Sequence, residues 1–191
     1  CLEEALRRTL ASQLGIASAV AAIAHVRPEV LAKAIVGLGQ DRYRVRFQMI
    51  DAHSGRYAAR HVTVTSHLYV RPSGGLLYGS STNAHHRPIT SLWWPVLEKA
   101  IARLKGSYKK IGRGGCSHRI LEILMGRPPR HFYSDQLSPE RMWTELTRIM
   151  AKKIPLVVGT YPATSARKYR LTGLYPDHAY TVMTCREVRG V

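Results

Sequence analysis

Leu14-Gly15-Ile16-Ala17-Ser18-Ala19-Val20-Ala21-Ala22-Ile23-Ala24 is the most apolar stretch of the chain. Its residues are small or aliphatic on every side of a helical projection, a pattern typical of a helix buried at the centre of a domain. The stretch is shorter than the ~20 residues of a membrane-spanning helix. Glu3 and Glu4 precede it, which disfavours a signal peptide. We therefore expect a core helix that begins at Ala17, after a break at Gly15.

The segments on either side of this helix also have helical periodicity. Leucines recur at helical spacing over residues 2–12 and predict a short first helix. Pro28 is favoured in the first turn of a helix. That helix is predicted to run through Ile35 and to end at Gly37 and Gly39.

The period then changes from helix to strand. Apolar residues alternate with arginines over residues 42–47, which is typical of a half-buried strand, and residues 61–70 alternate again. Ser73-Gly74-Gly75 predicts a turn, and a short strand follows at 76–78. We expect a small antiparallel sheet at 42–80, inserted after the first helices.

The second half of the chain alternates between helices and strands. Ser138, Pro139 and Glu140 supply an N-cap, a first-turn proline and a first-turn acid for one of its helices. The predicted helices and strands lie at 91–104, 117–125, 138–150, 154–160 and 178–188. The prediction is a single α+β domain over 1–191, with a helical lobe at 1–150 and an antiparallel sheet lobe at 151–191.

Composition limits the class of protein. Lysine and arginine number 29 against 12 acidic residues, which gives a net charge of +17. This charge favours acidic proteins or nucleic acid as neighbours. Because the basic residues are dispersed along the chain, we interpret them as a solvated surface and expect no dedicated nucleic-acid site. Cys1, Cys116 and Cys185 form no disulfide framework.

Three stretches match one family in chain order. Residues 14–24 compare with Leu-Gly-Asp-Cys-Trp and a small apolar helix. Leu92-Trp93-Trp94-Pro95-Val96-Leu97-Glu98-Lys99-Ala100 and the later Gly106-Ser107-Tyr108 compare with Leu-Trp-Pro-x-Leu-Leu-Glu-Lys-Ala and Gly-Ser-Tyr. Asp177-His178-Ala179-Tyr180-Thr181-Val182 and Arg186-Glu187-Val188 compare with Gly-His-Ala-Tyr-Ser-Val and Arg-Glu-Val. The chain thus resembles calpain-type cysteine proteases. The resemblance covers nearly all of it and implies a papain-like, two-lobed fold with the active site between the lobes.

The resemblance also implies a catalytic pair. Ala17 takes the position of the nucleophilic cysteine, and His178 takes that of the general base. A thiolate is favoured at the first turn of a buried helix, where backbone N–H groups are free and the helix dipole is positive. The backbone N–H of residue 17, with Gln13, is the expected oxyanion holder.

The chain departs from the family pattern at three positions. Alanine at position 17 has no nucleophile, which indicates either an engineered Cys→Ala replacement or a natural pseudoprotease. The family glutamine lies six residues before the cysteine, where this chain has Ala11, so Gln13 is the available substitute. The family asparagine belongs to an Asn-Pro-Trp motif that would follow Val191. Asp177 is a poor replacement, since neighbours on a strand point to opposite faces.

These observations predict a calpain-like thiol protease that acts on a protein substrate or on its own polypeptide in cis. A bacterial toxin, effector or self-processing cassette fits a minimal basic domain, either cytoplasmic or secreted without a signal peptide. Two alternatives stay open: a papain-fold deamidase or acyl transferase, and a catalytically dead papain-like domain that binds an acidic partner or nucleic acid. We expect no cofactor, and the few acidic residues predict independence from calcium. Since the chain begins with Cys1, we expect a fragment or processed product.

Other residues give weaker indications of chemistry. Cys116 lies in a glycine-rich loop before a helix, a setting that favours a reactive thiol, although the family pattern makes this position structural. His61, His67 and Cys116-x-His118 invite a zinc hypothesis, but no spacing matches a closed site, so we interpret them as surface residues. The loop at 112–115 lacks the Lys-Ser/Thr signature of a phosphate-binding loop.

Overall fold

A computed structural model describes residues 2–72, 74–79, 92–112, 116–162, 164, 167 and 169–188, with the side chains of residues 2–13 excluded. A 3-10 turn at Ser134–Gln136 separates two of the helices. The helices are α1 (Leu2–Val26), α2 (Pro28–Ala34), α3 (Trp93–Lys105), α4 (Tyr108–Ile111), α5 (Ser117–Met125) and α6 (Pro139–Ala151). The strands are β1 (Ile35–Gly39), β2 (Arg42–Ile50), β3 (Tyr57–Thr65), β4 (Val157–Gly159) and β5 (Ala179–Thr181).

The core forms around the second half of α1, as the apolar stretch predicts. Ile16, Val20 and Ile23 are buried there in one cluster with apolar residues of α3, α5 and the first sheet, and α1 itself packs mainly against α5, β5 and α2. No single helix within the described ranges is long and apolar enough to cross a membrane. Leu14–Val26 and Pro28–Ala34 meet that criterion only as a pair, bent by 111°.

The predicted helix break at Gly15 is wrong. α1 runs without interruption from Leu2 to Val26, so Ala17 lies inside a helix and not at its start. A glycine in a helix interior costs only about 1 kcal/mol relative to alanine. The burial of Gly15, Ile16 and Ser18 shows that packing at this point favours the helical conformation. The free N–H groups that we expected at position 17 are therefore not available, since helical N–H groups bond to the carbonyl four residues earlier.

The first sheet is antiparallel, with strand order β1-β2-β3. It begins at Ile35, where we expected a helix, because the β-branched Ile35 and Val36 pair with Val45 and Arg44 of β2. The predicted limits of 42–80 are therefore too late at the start. The third strand of the sheet ends at Thr65, before the predicted limit. Among the described residues that follow it up to position 79, the only further pairing is a single bridge between Val70 and Leu76.

The second half contains α5, α6 and the antiparallel pair β4 and β5. Both helices begin where predicted and end within a residue of the predicted limit. The two strands are shorter than predicted, because only Val157–Gly159 and Ala179–Thr181 pair with each other. Helices combined with two small antiparallel sheets confirm the α+β class.

Candidate active site

Ala17 is half-buried on α1 between two buried residues, Ile16 and Ser18. The hydroxyl of Ser18 donates a hydrogen bond to the carbonyl of Gly15 at 3.3 Å, so it is directed along the helix. Gln13 lies one helical turn before Ala17 in the unbroken α1, and its side chain is outside the described part. Position 17 thus has a fixed backbone and a small methyl side chain.

His178 immediately precedes β5 and is held by its backbone. Its N–H donates to Oγ1 of Thr160 at 2.8 Å, and its carbonyl accepts the N–H of Thr160 at 2.9 Å. Asp177 adopts a φ of 53°, a left-handed conformation that turns the chain into this pairing. The half-buried His178 is therefore bonded through both its N–H and its carbonyl to Thr160, the residue that follows β4.

Two tyrosines flank the imidazole ring of His178. The ring centroids of Tyr175 and Tyr180 lie 5.9 and 5.2 Å from that of His178, both at tilted angles. Oη of Tyr180 accepts the backbone N–H of Tyr175 at 2.9 Å, which ties the two tyrosines together. We call Tyr175 and Tyr180 the tyrosine clamp. Both separations are within the range at which aromatic rings attract each other.

Two hydrogen bonds bring the His178 segment alongside α1. Oγ1 of Thr181 donates to the carbonyl of Ser18 at 2.8 Å. Further along, Nε2 of His25 lies 2.8 Å from the carbonyl of Met183. Because the contacts occur in the same order on both segments, the segments run in the same direction. His178 lies three residues before Thr181, on the segment that these two bonds hold against α1.

A third element reaches the same part of α1. Oγ of Ser117, the first residue of α5, lies 3.5 Å from Oγ of Ser18. Cys116 is the exposed N-cap residue of α5 and has a free thiol. The sequence alone could not show that the residue after this cysteine, Ser117, contacts the helix that carries position 17.

The structure also contains a buried acid that the sequence analysis missed. Glu98 is 1% exposed and accepts the backbone N–H of Gly79, and its Oε2 has no hydrogen-bond partner among the described residues. Burial raises the pKa of Glu98 to about 7. Tyr78 stacks on Tyr108 nearby, with centroids 4.0 Å apart. The sequence indicates this burial only by the position of Glu98 among the apolar residues of α3.

The zinc hypothesis gains no support from the geometry. His61 is exposed on β3, and His118 lies near His131, with ring centroids 6.3 Å apart. The described ranges contain no group of three or more histidine, cysteine, aspartate or glutamate side chains that could hold a metal ion.

Comparison with known sequences identifies the class. The calpain family cysteine protease domain matches residues 14–190, so this chain belongs to that family. This confirms the predicted resemblance.

Among curated relatives, the chain is 30% identical over 117 residues to the calpain-type cysteine protease DEK1 of Arabidopsis thaliana. It is 31% identical over 120 residues to the calpain-type cysteine protease ADL1 of Oryza sativa subsp. japonica. Each alignment covers 59% of this chain and 5% of the relative. It is 28% identical over 135 residues to the calpain-like protease palB of Emericella nidulans, covering 69% of this chain and 15% of that protein. The chain therefore spans only a small part of these relatives.

Proposed function

We propose that this domain hydrolyses peptide bonds by Cys–His chemistry when position 17 carries cysteine, and that the Ala17 chain is its inactive form. The observation that carries the proposal is the hydrogen bond from Thr181 to Ser18. It joins the residue next to Ala17 to the strand that follows His178. Family membership supports the reaction class, and the papain-like arrangement of two lobes is part of the same proposal.

The proposed mechanism begins with proton transfer from the thiol at position 17 to His178. The thiolate attacks the peptide carbonyl, and the imidazolium then protonates the leaving amine, which leaves an acyl-enzyme. His178 next removes a proton from water, and the resulting hydroxide attacks the thioester and releases the acid and the thiol. Because position 17 is inside an unbroken helix, we assign stabilisation of the thiolate to His178 and not to a helix end. Gln13, one turn earlier, is the proposed donor to the oxyanion.

The tyrosine clamp has a positioning role in this mechanism. Tyr175 and Tyr180 lie beside the ring of His178, at centroid distances of 5.9 and 5.2 Å. A base must be held rigidly to act on a fixed nucleophile. We propose that the clamp contributes this restraint.

The direct test compares the Ala17 chain with Ala17→Cys and with the double variant Ala17→Cys/His178→Ala. Each is incubated with a mixture of unfolded proteins and also by itself, and new termini are identified by mass spectrometry. The protease proposal predicts cleavage by Ala17→Cys alone. Ammonia release without cleavage would support the deamidase alternative. Absence of both, in a variant that remains folded, would contradict an enzymatic role for position 17.

A second nucleophile has its own structural support. Ser117 contacts Ser18, so the exposed thiol of Cys116 lies next to the residue that contacts this part of α1. If Cys116 is the nucleophile, the Ala17 chain is active and Cys116→Ser abolishes its activity. Ala17→Cys would then change the activity little. The opposite pattern supports position 17.

A binding role without catalysis is favoured by one surface. Arg42, Arg44 and Arg46 are exposed at alternate positions of β2 and so lie on one face of the sheet. The net charge of +17 would attract an acidic protein partner to such a face. Salt-sensitive binding of acidic proteins by the natural chain, weakened by Arg44→Glu, would support this alternative. The bacterial effector and self-processing roles remain proposals about the protein that contains this domain.

A further inference from the structure

A cavity of about 480 Å³ opens between α5, α6 and the segment that leads into β4. Its volume lies in the range of small-molecule sites. Apolar side chains form most of its wall, including Leu121, Met125, Phe132, Ile149, Ile154 and Leu156. A ligand would therefore bury mainly hydrocarbon surface in it.

The polar part of the wall is positive. Arg127, Arg130, Arg148 and Glu145 line the cavity. Glu145 forms an ion pair with Arg148 at 2.5 Å, and this hydrogen bond holds the pKa of Glu145 below its ordinary value. Neither Arg127 nor Arg130 has an acidic side chain within ion-pair distance in the described part of the chain. The cavity thus has two guanidinium groups that form no ion pair among the described residues, and the charge of Arg130 also contributes to the lowered pKa of Glu145.

The cavity is separate from the candidate active site. Neither Ala17 nor His178 lines it. Ser117, which contacts Ser18, is at the start of α5, whereas Met125 lines the cavity from the other end, ~12 Å along the helix axis at 1.5 Å per residue. The cavity therefore shares no lining residue with the proposed catalytic pair.

We propose that this cavity binds a small anionic amphiphile, with its hydrocarbon tail against Ile149 and Ile154 and its carboxylate or phosphate headgroup at Arg127 and Arg130. Arginine binds both anions through paired N–H donors. The apolar wall gives affinity for the tail, and the two arginines select the sign of the headgroup. This inference does not depend on the proposed catalytic pair.

The test uses decanoate as the carboxylate probe and decyl phosphate as the phosphate probe, both below their micelle-forming concentrations. Decanol serves as the uncharged control of equal chain length. Affinity for the natural chain is measured by isothermal titration. Contacts are located by nuclear Overhauser effects between probe methylenes and the methyl groups of Ile149 and Ile154. The variants are Arg130→Glu, the cavity-filling Leu121→Trp, and Arg44→Glu on β2 as a control with the same change in charge.

The proposal predicts saturable binding of one anionic probe molecule with contacts to Ile149 and Ile154. Arg130→Glu should weaken binding at least tenfold, Leu121→Trp should abolish it, and Arg44→Glu should leave it within twofold. If Leu121→Trp fails to fold, the surface variant Arg130→Glu still decides the question. Decanol binding as tightly as decanoate, equal losses in Arg130→Glu and Arg44→Glu, or no binding of either anion would each overturn the proposal.

Discussion

The side-chain hydroxyl of Thr181 donates a hydrogen bond of 2.8 Å to the backbone carbonyl of Ser18, across 163 positions of sequence. One partner follows Ala17 on α1, and the other lies three residues after His178 on β5. The bond therefore connects the two segments that carry the proposed catalytic pair. The proposed mechanism depends on this connection more than on any other contact in the structure.

Thr181→Val should loosen this connection while keeping the shape of the side chain. Loss of one part-buried hydrogen bond costs about 1 kcal/mol of unfolding free energy. In an Ala17→Cys background, kcat/KM should also fall about tenfold or more, because small misplacements of a base are costly. Thr144→Val is the control, since Oγ1 of Thr144 donates to the carbonyl of Glu140 on exposed α6. An equal loss of kcat/KM in both variants would argue against the specific role of Thr181.

Removal of the tyrosine clamp should affect turnover more than folding. In the Ala17→Cys background, Tyr180→Leu removes the ring beside His178 and should lower kcat at least about tenfold with little change in KM. Tyr180→Phe keeps the ring and should retain most of the activity. Tyr133→Leu is a matched control, because Tyr133 contacts another histidine, His131, at a centroid distance of 6.0 Å. If Tyr180→Leu behaves like Tyr133→Leu, the clamp has no positioning role.

Glu98 should make the stability of the domain depend on pH. Its pKa is about 7 in the folded chain, raised by burial from an ordinary value of 4.5. The folded state thus holds a proton that the unfolded chain releases between these values. The contribution of Glu98 to stability is therefore fully present below pH 4.5 and is lost as the pH rises through about 7, by roughly 3 kcal/mol in total.

Glu98→Gln should flatten this dependence and make the domain more stable than the natural chain at pH 8. Urea unfolding at several pH values between 4.5 and 8 measures both slopes. Glu140→Gln is the control, since a hydrogen bond from Ser138 lowers the pKa of the exposed Glu140. A slope in Glu98→Gln that equals that of the natural chain would exclude Glu98 as its source.

Gly79 should tolerate no side chain. Its φ is +66°, and an added Cβ would lie 2.5 Å from Cβ of Pro95. Gly79→Ala should lower the unfolding free energy by about 3 kcal/mol, from the left-handed conformation and from overpacking. Gly55→Ala is a close control, because Gly55 has a φ of +65° with nothing within 4 Å of an added Cβ. It should cost only about 1 kcal/mol. Equal losses in thermal or urea unfolding would rule out the steric contact with Pro95.

Local signals predicted the helices of the second half well. Ser138 caps α6 by accepting the N–H of Arg141, and Gly126 ends α5 in the left-handed conformation. Such ends are determined by residues within a few positions, so the sequence contains the necessary information. The break at Gly15 was predicted wrongly because the packing around Gly15 outweighs its low helix propensity. The same limit applies to Ile35, whose strand partner Val45 is distant in sequence.

The candidate site could be predicted only in part. Motif resemblance predicted Ala17 and His178 as the catalytic pair, and this assignment stays a proposal. The contacts of Thr181 and Ser117 with Ser18 depend on how distant segments pack, and no local pattern encodes them. The burial of Glu98 could not be predicted from the sequence either, since an acid in a helix is normally interpreted as solvent-exposed.

The most direct measurement is the rate at which iodoacetamide alkylates the thiol at position 17 of Ala17→Cys as a function of pH. Mass spectrometry separates the peptide that contains this thiol from those of Cys1, Cys116 and Cys185. Pairing with His178 should depress the pKa of the thiol well below the ordinary value of about 8.5. Alkylation should therefore be fast at pH 6 and should fall at least tenfold when His178→Ala is added. Identical profiles with a pKa near 8.5 in both proteins would contradict the proposal that position 17 and His178 form a catalytic pair.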